Sequence, residues 1–538
     1  MLDLLIRGAT VYDGTGGPAV QAAVGISGGK VVSVGKGEAA KETVDAGGLC
    51  LMPGIVDVHT HYDAQITWDP TLSPSVSLGV TTAIMGNCGF GIAPCPAPLR
   101  ETMLKNLSVV EGMDVDALLQ GTRWDFETFP GYLDALERIR PLANVGVLAG
   151  HSAIRTAVMG EDASTRVQPT EAEMHLMQQT LREALQAGAA GFASSFSPNH
   201  SGWNGKPMPS TIAGDEELEQ LVSVLDKGVF VIASGPRATP EYLEAITSRP
   251  TFMVTVLTMH SAAHPGRAMQ YYERCAAANA RGRELYIHTT CQPLSFDFTL
   301  QEPYILYSHS AFDEVKKAKD RQSVYRSAKF RKQFRHDLQN PKSGILFYGD
   351  WSLVERDGVP VPELARRAGK DPLDYVFDLP LDTQLVAKLF QNDDKAVAPL
   401  LQHPAGVIAL SDAGAHLIYF CDAGFGLHFL AHWVRERGAF TLEEGVRRLT
   451  SDPARKYRIP GRGTIAAGQW ADLLLFDAAK VGISSLEKRR DLPAGGTRMI
   501  RRPLGVHGVW VNGTSVFDGA KHDVGERRPG KVLRTFDP

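Results

Sequence analysis

The chain has 538 residues, 43% of them hydrophobic and 22% charged, which fits a globular protein and excludes a disordered polar chain. Lys and Arg number 56 against 60 Asp and Glu, a formal net charge of −4; with no basic excess and no acidic tail, no nucleic-acid partner is expected. No apolar run approaches the roughly 18 residues that cross a bilayer, so no membrane partner is expected either.

Along the chain, residues 1–52 read as β-structure. The start, Met1-Leu2-Asp3-Leu4-Leu5-Ile6-Arg7, has no basic lead and carries charge inside its apolar run; it reads as a strand and not as a signal peptide. Short apolar runs follow at 24–26 and 30–34 with Gly-rich punctuation. From 53 to about 460, short apolar runs alternate with helical stretches. Strands are predicted at 55–59, 80–85, 144–149, 189–194, 229–233, 252–258, 284–288 and 407–411, and helices at 172–187, 215–227 and 267–281. Such alternation predicts an α/β fold, a parallel (β/α)8 TIM-like barrel rather than an open sheet. Residues 294–400 interrupt the alternation. They include the basic stretch from Lys316 to Lys332, which reads as a lid, an anion-attracting wall or simply a solvated helical face. Beyond 462 the character is β again, at 471–477 and 506–513. The predicted organisation is therefore a small β-domain from 1–52 and 462–538 and a barrel from 53–461, with an insertion or lid-like region at about 294–400. Six cysteines, at 50, 88, 95, 275, 291 and 421, form no Cys-x-x-Cys pair. A reducing, cytoplasmic setting is expected.

The chemistry concentrates at the predicted strand ends. Gly54-Ile55-Val56-Asp57-Val58-His59-Thr60-His61 delivers two histidines one residue apart, and residues two apart on a strand share a face. Two imidazoles so placed can share a divalent metal ion. Cys88, in Gly86-Asn87-Cys88-Gly89, follows the strand at 80–85, and a thiolate is a strong zinc ligand. Asp412, in Ser411-Asp412-Ala413-Gly414-Ala415-His416, ends the last strand. A carboxylate there can ligate metal, take a proton from the attacking water and pass it to a leaving amine. His151, His260 and His288 also fall at or just beyond strand ends, the active face of a barrel.

Together, Pro53 through His61, Asn87-Cys88-Gly89, Ser411 through His416 and Gly463 through Leu473 resemble the amidohydrolase superfamily, and are most similar to its D-aminoacylase (N-acyl-D-amino-acid deacylase) branch. The resemblance implies a metal-bearing (β/α)8 barrel with a small β-sandwich from both chain ends, usually with zinc. It implies His59, His61 and Cys88 as ligands, His260 as a further ligand at the end of the sixth strand, and Asp412 as the catalytic carboxylate and a ligand. The chain departs from the branch at the fifth strand, which ends Ala233-Ser234-Gly235-Pro236-Arg237 without a histidine. One or two metals therefore remain open, and His151, His288 or His416 stand as substitute ligands or supports. The branch's cationic substrate clamp is also missing after His260 and after Asp412. Arg237 or the 316–332 cluster can replace it; otherwise the substrate is an uncharged or cyclic amide or a carbamate. The expected activity is metal-dependent hydrolysis of a small-molecule carboxamide C–N bond. The rivals are a non-catalytic barrel scaffold and an amidase with Cys88 as nucleophile and His151 as base. Whether the chain forms a homo-oligomer stays open.

Overall fold

The computed structural model describes residues 1–35, 37, 39–246, 251–254, 258–341, 345–521 and 528–536. The chain divides into two compact units, one of Met1–Thr258, Ala268–Cys291 and Ala398–Pro538, the other of Met259–Arg267 and Gln292–Val397.

The first unit is organised around eight parallel strands in sequence order: Ile55–Asp57, Val80–Met85, Asn144–Gly150, Gly191–Ser195, Val229–Ala233, Thr251–Val254, Leu285–Thr289 and Gly406–Ile408. Each pairs in parallel with the next, as in Thr82 with Asn144 and Gly191 with Val229. Just past the ends of the first and last strands, Thr60 and Ala413 form a further parallel bridge. These strands are mostly apolar, and Val80–Met85, Asn144–Gly150, Gly191–Ser195 and Val229–Ala233 are buried at every residue, as expected of strands covered on both faces. Val56, Ile84, Leu148, Ala193, Val231, Met253, Val407 and Tyr457 share one core, where a fully buried Val or Leu contributes about 1.5–3 kcal/mol.

The intervening helices follow their capping signals. Glu171–Ala187 opens on a capping box between Thr170 and Glu173 and stops at Gly188. The helix predicted at 215–227 ends earlier, at Val222, because the chain must turn at Gly228, φ 77°, to enter the next strand. The sixth strand is described only as Thr251–Val254; the rest of the run predicted there, 255–257, lies outside the described residues.

The chain ends meet in a second sheet of eight strands. Five come from the first 53 residues, Leu2–Val11 to Cys50–Pro53, and three from Leu473–Phe476, Val506–Val511 and Thr514–Phe517. The junction is the antiparallel pairing of Leu473 with Pro53. Leu4, Ile6, Val24, Leu51, Leu475 and Trp510 pack beneath it. Because Cys50–Pro53 runs straight into the first parallel strand, this sheet fixes where Ile55–Asp57 starts.

The second unit has a four-stranded antiparallel sheet including Leu294–Phe298 and Leu385–Phe390. Its helices share an aromatic core in which Phe377 meets Tyr325, Phe330 and Phe334 at 5.0–5.5 Å. Part of the basic stretch is paired within this unit: Arg331 bridges Asp374 at 3.0 Å and Asp378 at 2.6 Å, and Lys329 meets Glu314 at 3.1 Å. Among the described residues, no helix is long and apolar enough to cross a membrane.

Candidate metal centre

The first parallel strand carries the site's central pair. Beyond Asp57 the chain stays extended: Thr60 donates its N–H and its hydroxyl to the Ile84 carbonyl at 3.0 and 2.8 Å, and the His61 N–H donates to the Ala413 carbonyl at 2.7 Å. Asp57, His59 and His61 thus alternate away from Thr60. Their Nε2 atoms bring the two imidazoles 3.3 Å apart. Cys88 Sγ lies 3.7 Å from His59 Nε2. The donor atoms of His59, His61 and Cys88 all fall within 4.8 Å of one another, and all three side chains are buried.

Cys88 reaches this point by a left-handed turn, with φ of 80° at Gly86 and 56° at Cys88 itself. A Cβ on Gly86 would sit 2.4 Å from the Leu148 carbonyl oxygen, so only glycine lets the turn lie against the third strand. Asn87 braces it, donating to the Ile84 carbonyl at 2.9 Å.

Asp412 enters from the last strand on a loop with φ of 69° at Leu410, 48° at Asp412 and 52° at His416. Left-handed non-glycine residues cost about 1–2 kcal/mol each, and such outliers gather at functional sites. Ser411 holds the loop, donating to Asp57 and accepting the Ala413 N–H at 3.0 Å. Asp412 Oδ1 then lies 3.2 Å from His59 Nε2 and 3.5 Å from His61 Nε2. Gly414, φ 95°, passes so close that a Cβ would meet the carbonyl carbon and oxygen of His61 at 2.6 Å. Gly414→Ala is expected to cost about 1–3 kcal/mol of stability. It should also displace Asp412 and lower kcat by up to roughly 10²-fold; thermal unfolding and steady-state rates check both.

Charge in this buried cluster is balanced by proximity. Burial opposes the His59 imidazolium, but Asp412 and Cys88 outweigh it and hold its pKa up at about 9. Burial likewise opposes the charged forms of His61 and Asp412, yet Glu111 and Asp412 hold His61 well above its ordinary value, and the two imidazoles hold Asp412 well below. Burial drives the Asp57 carboxyl up to about 7.

Each imidazole has a different partner at Nδ1. His61 Nδ1 faces the buried Glu111 carboxylate at 3.0 Å, and His59 Nδ1 faces His288 Nδ1 at 2.9 Å. Both Nε2 atoms remain directed at Cys88 and Asp412, the pattern in which metal-binding histidines are held from behind.

The remaining predicted residues are placed as follows. His288 supports His59 from behind. His416 stacks on Phe420 at 5.1 Å, and burial lowers its pKa. His151 has both ring nitrogens engaged, with Ser194 Oγ at 2.8 Å and Glu217 Oε1 at 2.8 Å. It therefore offers no free nitrogen to a metal and no free base to Cys88. His260 lies in the second unit, where its N–H donates to Gln391 Oε1 at 2.7 Å. Arg237 is committed to Asp215 at 2.8 Å and to the Ala213 carbonyl, and stacks 3.7 Å over Phe196. Sequence reasoning missed Glu111, Tyr457 and His200. His200 accompanies Ser195 Oγ at 2.7 Å and Phe90 at 4.9 Å, and burial lowers its pKa to about 4.

The amidohydrolase family model matches residues 42–198 and 352–517, together more than half of the sequence, and the chain belongs to this family. It is 29% identical to the N-acyl-D-glutamate deacylase of Alcaligenes xylosoxydans xylosoxydans, over 99% of this chain and 96% of that protein. It is 28% identical to the N-acyl-D-aspartate deacylase of the same organism, over 99% and 95%. A solved N-acyl-D-glutamate deacylase from Bordetella bronchiseptica, complexed with zinc and a phosphonate mimic of the reaction's tetrahedral intermediate, is 26% identical. It superposes with a TM-score of 0.69 across 99% of this chain and 100% of that one.

Proposed function

We propose that this protein is a metal-dependent hydrolase of a carboxamide C–N bond, acting on N-acyl-D-amino acids as its relatives' names describe. The observation that carries the reading is the convergence of His59 Nε2, His61 Nε2 and Cys88 Sγ within 4.8 Å, with Asp412 Oδ1 beside both imidazoles. The donor set fits zinc: two imidazole nitrogens and a thiolate, each histidine supported at its far nitrogen. His59, His61 and Cys88 would hold the ion, with Asp412 at its edge. When bound, zinc would polarise the scissile carbonyl and acidify water. Asp412 takes the proton of the attacking water as the new C–O bond forms. It then gives that proton to the nitrogen as the C–N bond breaks, leaving a carboxylate and an amine. Glu111 and His288 hold His61 and His59 in place throughout.

The same reading takes the parallel strands as a closed (β/α)8 barrel over 53–461, bearing a small β-sandwich from 1–52 and 462–538 and an insertion at about 294–400. The bridge of Thr60 with Ala413 across the outer strands supports closure, and the joining of both chain ends in one sheet supports the shared module. All six cysteines are free and buried, which supports a reducing, cytoplasmic setting.

A second reading changes the substrate and keeps the bond. Arg237 is already committed to Asp215 and Ala213, which weakens it as a clamp for a substrate carboxylate and favours an uncharged amide. The test is elemental analysis of the purified protein together with turnover of N-acyl-D-amino acids against their amides. About one or two zinc ions per chain, chelator-sensitive turnover and release of free amine are expected. A metal-free protein that hydrolyses equally well in chelator would overturn the metal-dependent reading.

A further inference from the structure

Behind His59 lies an arrangement that the reaction itself does not use. His288 Nδ1 is 2.9 Å from His59 Nδ1, and His288 Nε2 is 2.9 Å from Tyr457 Oη. The Tyr457 and His288 rings stack at 25° with centroids 6.0 Å apart. All three side chains are fully buried. Two nitrogens at 2.9 Å form a hydrogen bond only if one carries a proton and the other a lone pair.

The metal reading fixes which is which. If His59 binds through Nε2, its lone pair is there and its single proton is on Nδ1. That N–H donates to His288 Nδ1, which must then be the acceptor. A neutral His288 keeps its own proton on Nε2, where Tyr457 Oη accepts it. A flipped His288, with its proton on Nδ1, would drive the proton of His59 onto Nε2, where it blocks metal binding. It would also leave His288 Nε2 with no donor except the tyrosine hydroxyl.

We propose that His288 and Tyr457 form a relay that supports the metal-binding tautomer of His59: His59 keeps its proton on Nδ1 and donates it to His288 Nδ1, His288 donates its Nε2 proton to Tyr457 Oη, and the His59 Nε2 lone pair is left directed at the metal. The proposal rests on the metal reading above. Both are positioning residues, since neither faces the substrate. His61 has the commoner arrangement, a carboxylate at its far nitrogen. A carboxylate accepts and cannot donate, so His61 needs no third residue to fix its tautomer. An imidazole can do either, so His288 takes its direction from the His59 proton, and the Tyr457 hydroxyl accepts the proton that His288 keeps on Nε2.

The experiment is zinc affinity of the apo protein by competition with a chromophoric chelator, with the apo unfolding temperature measured alongside. His288→Leu fills the space without a hydrogen bond, and His288→Asn keeps an acceptor oxygen, Oδ1, at the position of Nδ1. The expected order is unaltered protein, then Asn within a few-fold, then Leu weaker by about 10–100-fold. Tyr457→Phe, the gentler change should Leu fail to fold, is expected to weaken zinc by about tenfold. A packing role predicts the reverse order, Leu better tolerated than Asn; that order, or a Tyr457→Phe protein binding zinc as the unaltered chain does, overturns the proposal. His59→Ala separates the two readings. If the unaltered protein binds zinc and His59→Ala does not, a negative His288 result sinks only the relay. If the unaltered protein binds no zinc, the metal reading fails and the relay with it.

Discussion

Asp412→Asn is expected to lower kcat by roughly 10²–10⁴-fold while zinc content and KM stay near those of the unaltered protein. The amide matches the carboxylate in shape, so the strained loop and its hold through Ser411 and Gly414 remain. What it lacks is basicity: an amide cannot take the proton of water, nor return one to the leaving nitrogen. The surroundings of Asp412 are arranged to keep it ionised. Burial opposes the charge, but His59 at 3.2 Å and His61 at 3.5 Å offset that penalty and hold the carboxyl well below its usual value. Zinc should stay because His59, His61 and Cys88 supply three donors without it. The measurement is single-turnover hydrolysis paired with elemental analysis on one preparation. Full activity in the variant would remove Asp412 from the chemistry. Loss of zinc along with activity would instead make it chiefly a ligand.

Why some of this was legible in the sequence follows from where the information lies. The parallel strands announce themselves because a strand buried on both faces is mostly apolar, as in Val229–Ala233, which is apolar throughout. His59 and His61 are legible because one extended segment carries both, and a period of two places them together wherever that segment lies. Cys88 is legible through the glycines around it, since a left-handed turn against neighbouring backbone leaves its mark in composition, and Asp412 through the apolar run that leads into it. Partners at Nδ1 leave no such mark. Glu111 follows a helix that begins at Arg100, and its carboxylate looks like any charge closing a helix. Tyr457 is 169 residues from His288, in a helical stretch with no local reason to place its hydroxyl inside the core. His151 misled for a related cause. Its position at a strand end is that of a ligand, but Glu217 and Ser194, which occupy its nitrogens, come from other elements. Spacing reports what a segment offers, and only the packed structure reports what has already been taken.

Cys88→Ala separates the metal site from its rival, a cysteine nucleophile. An apparent zinc-binding free energy of about 10–16 kcal/mol, shared among four donors, gives roughly 3 kcal/mol per donor. That is about two orders of magnitude in affinity. The variant should therefore emerge with little zinc and little activity, and recover part of its turnover as zinc is added. A nucleophile would behave differently: the variant would keep its zinc, stay inactive at any zinc concentration, and the unaltered enzyme would ignore chelators. The structure argues for the first outcome. A nucleophilic thiol needs a base with a free nitrogen, and His151 has none. The imidazole beside Cys88 is His59, whose Nε2 also faces His61 and Asp412. Two imidazole nitrogens, a thiol and a carboxylate gathered at one point are the donor set a zinc ion takes, and the Gly86 turn that brings the thiol there holds Cys88 at a positive φ to do so. Retention of stoichiometric zinc by Cys88→Ala would therefore overturn the assignment of this thiolate as a ligand, whatever happened to the rate.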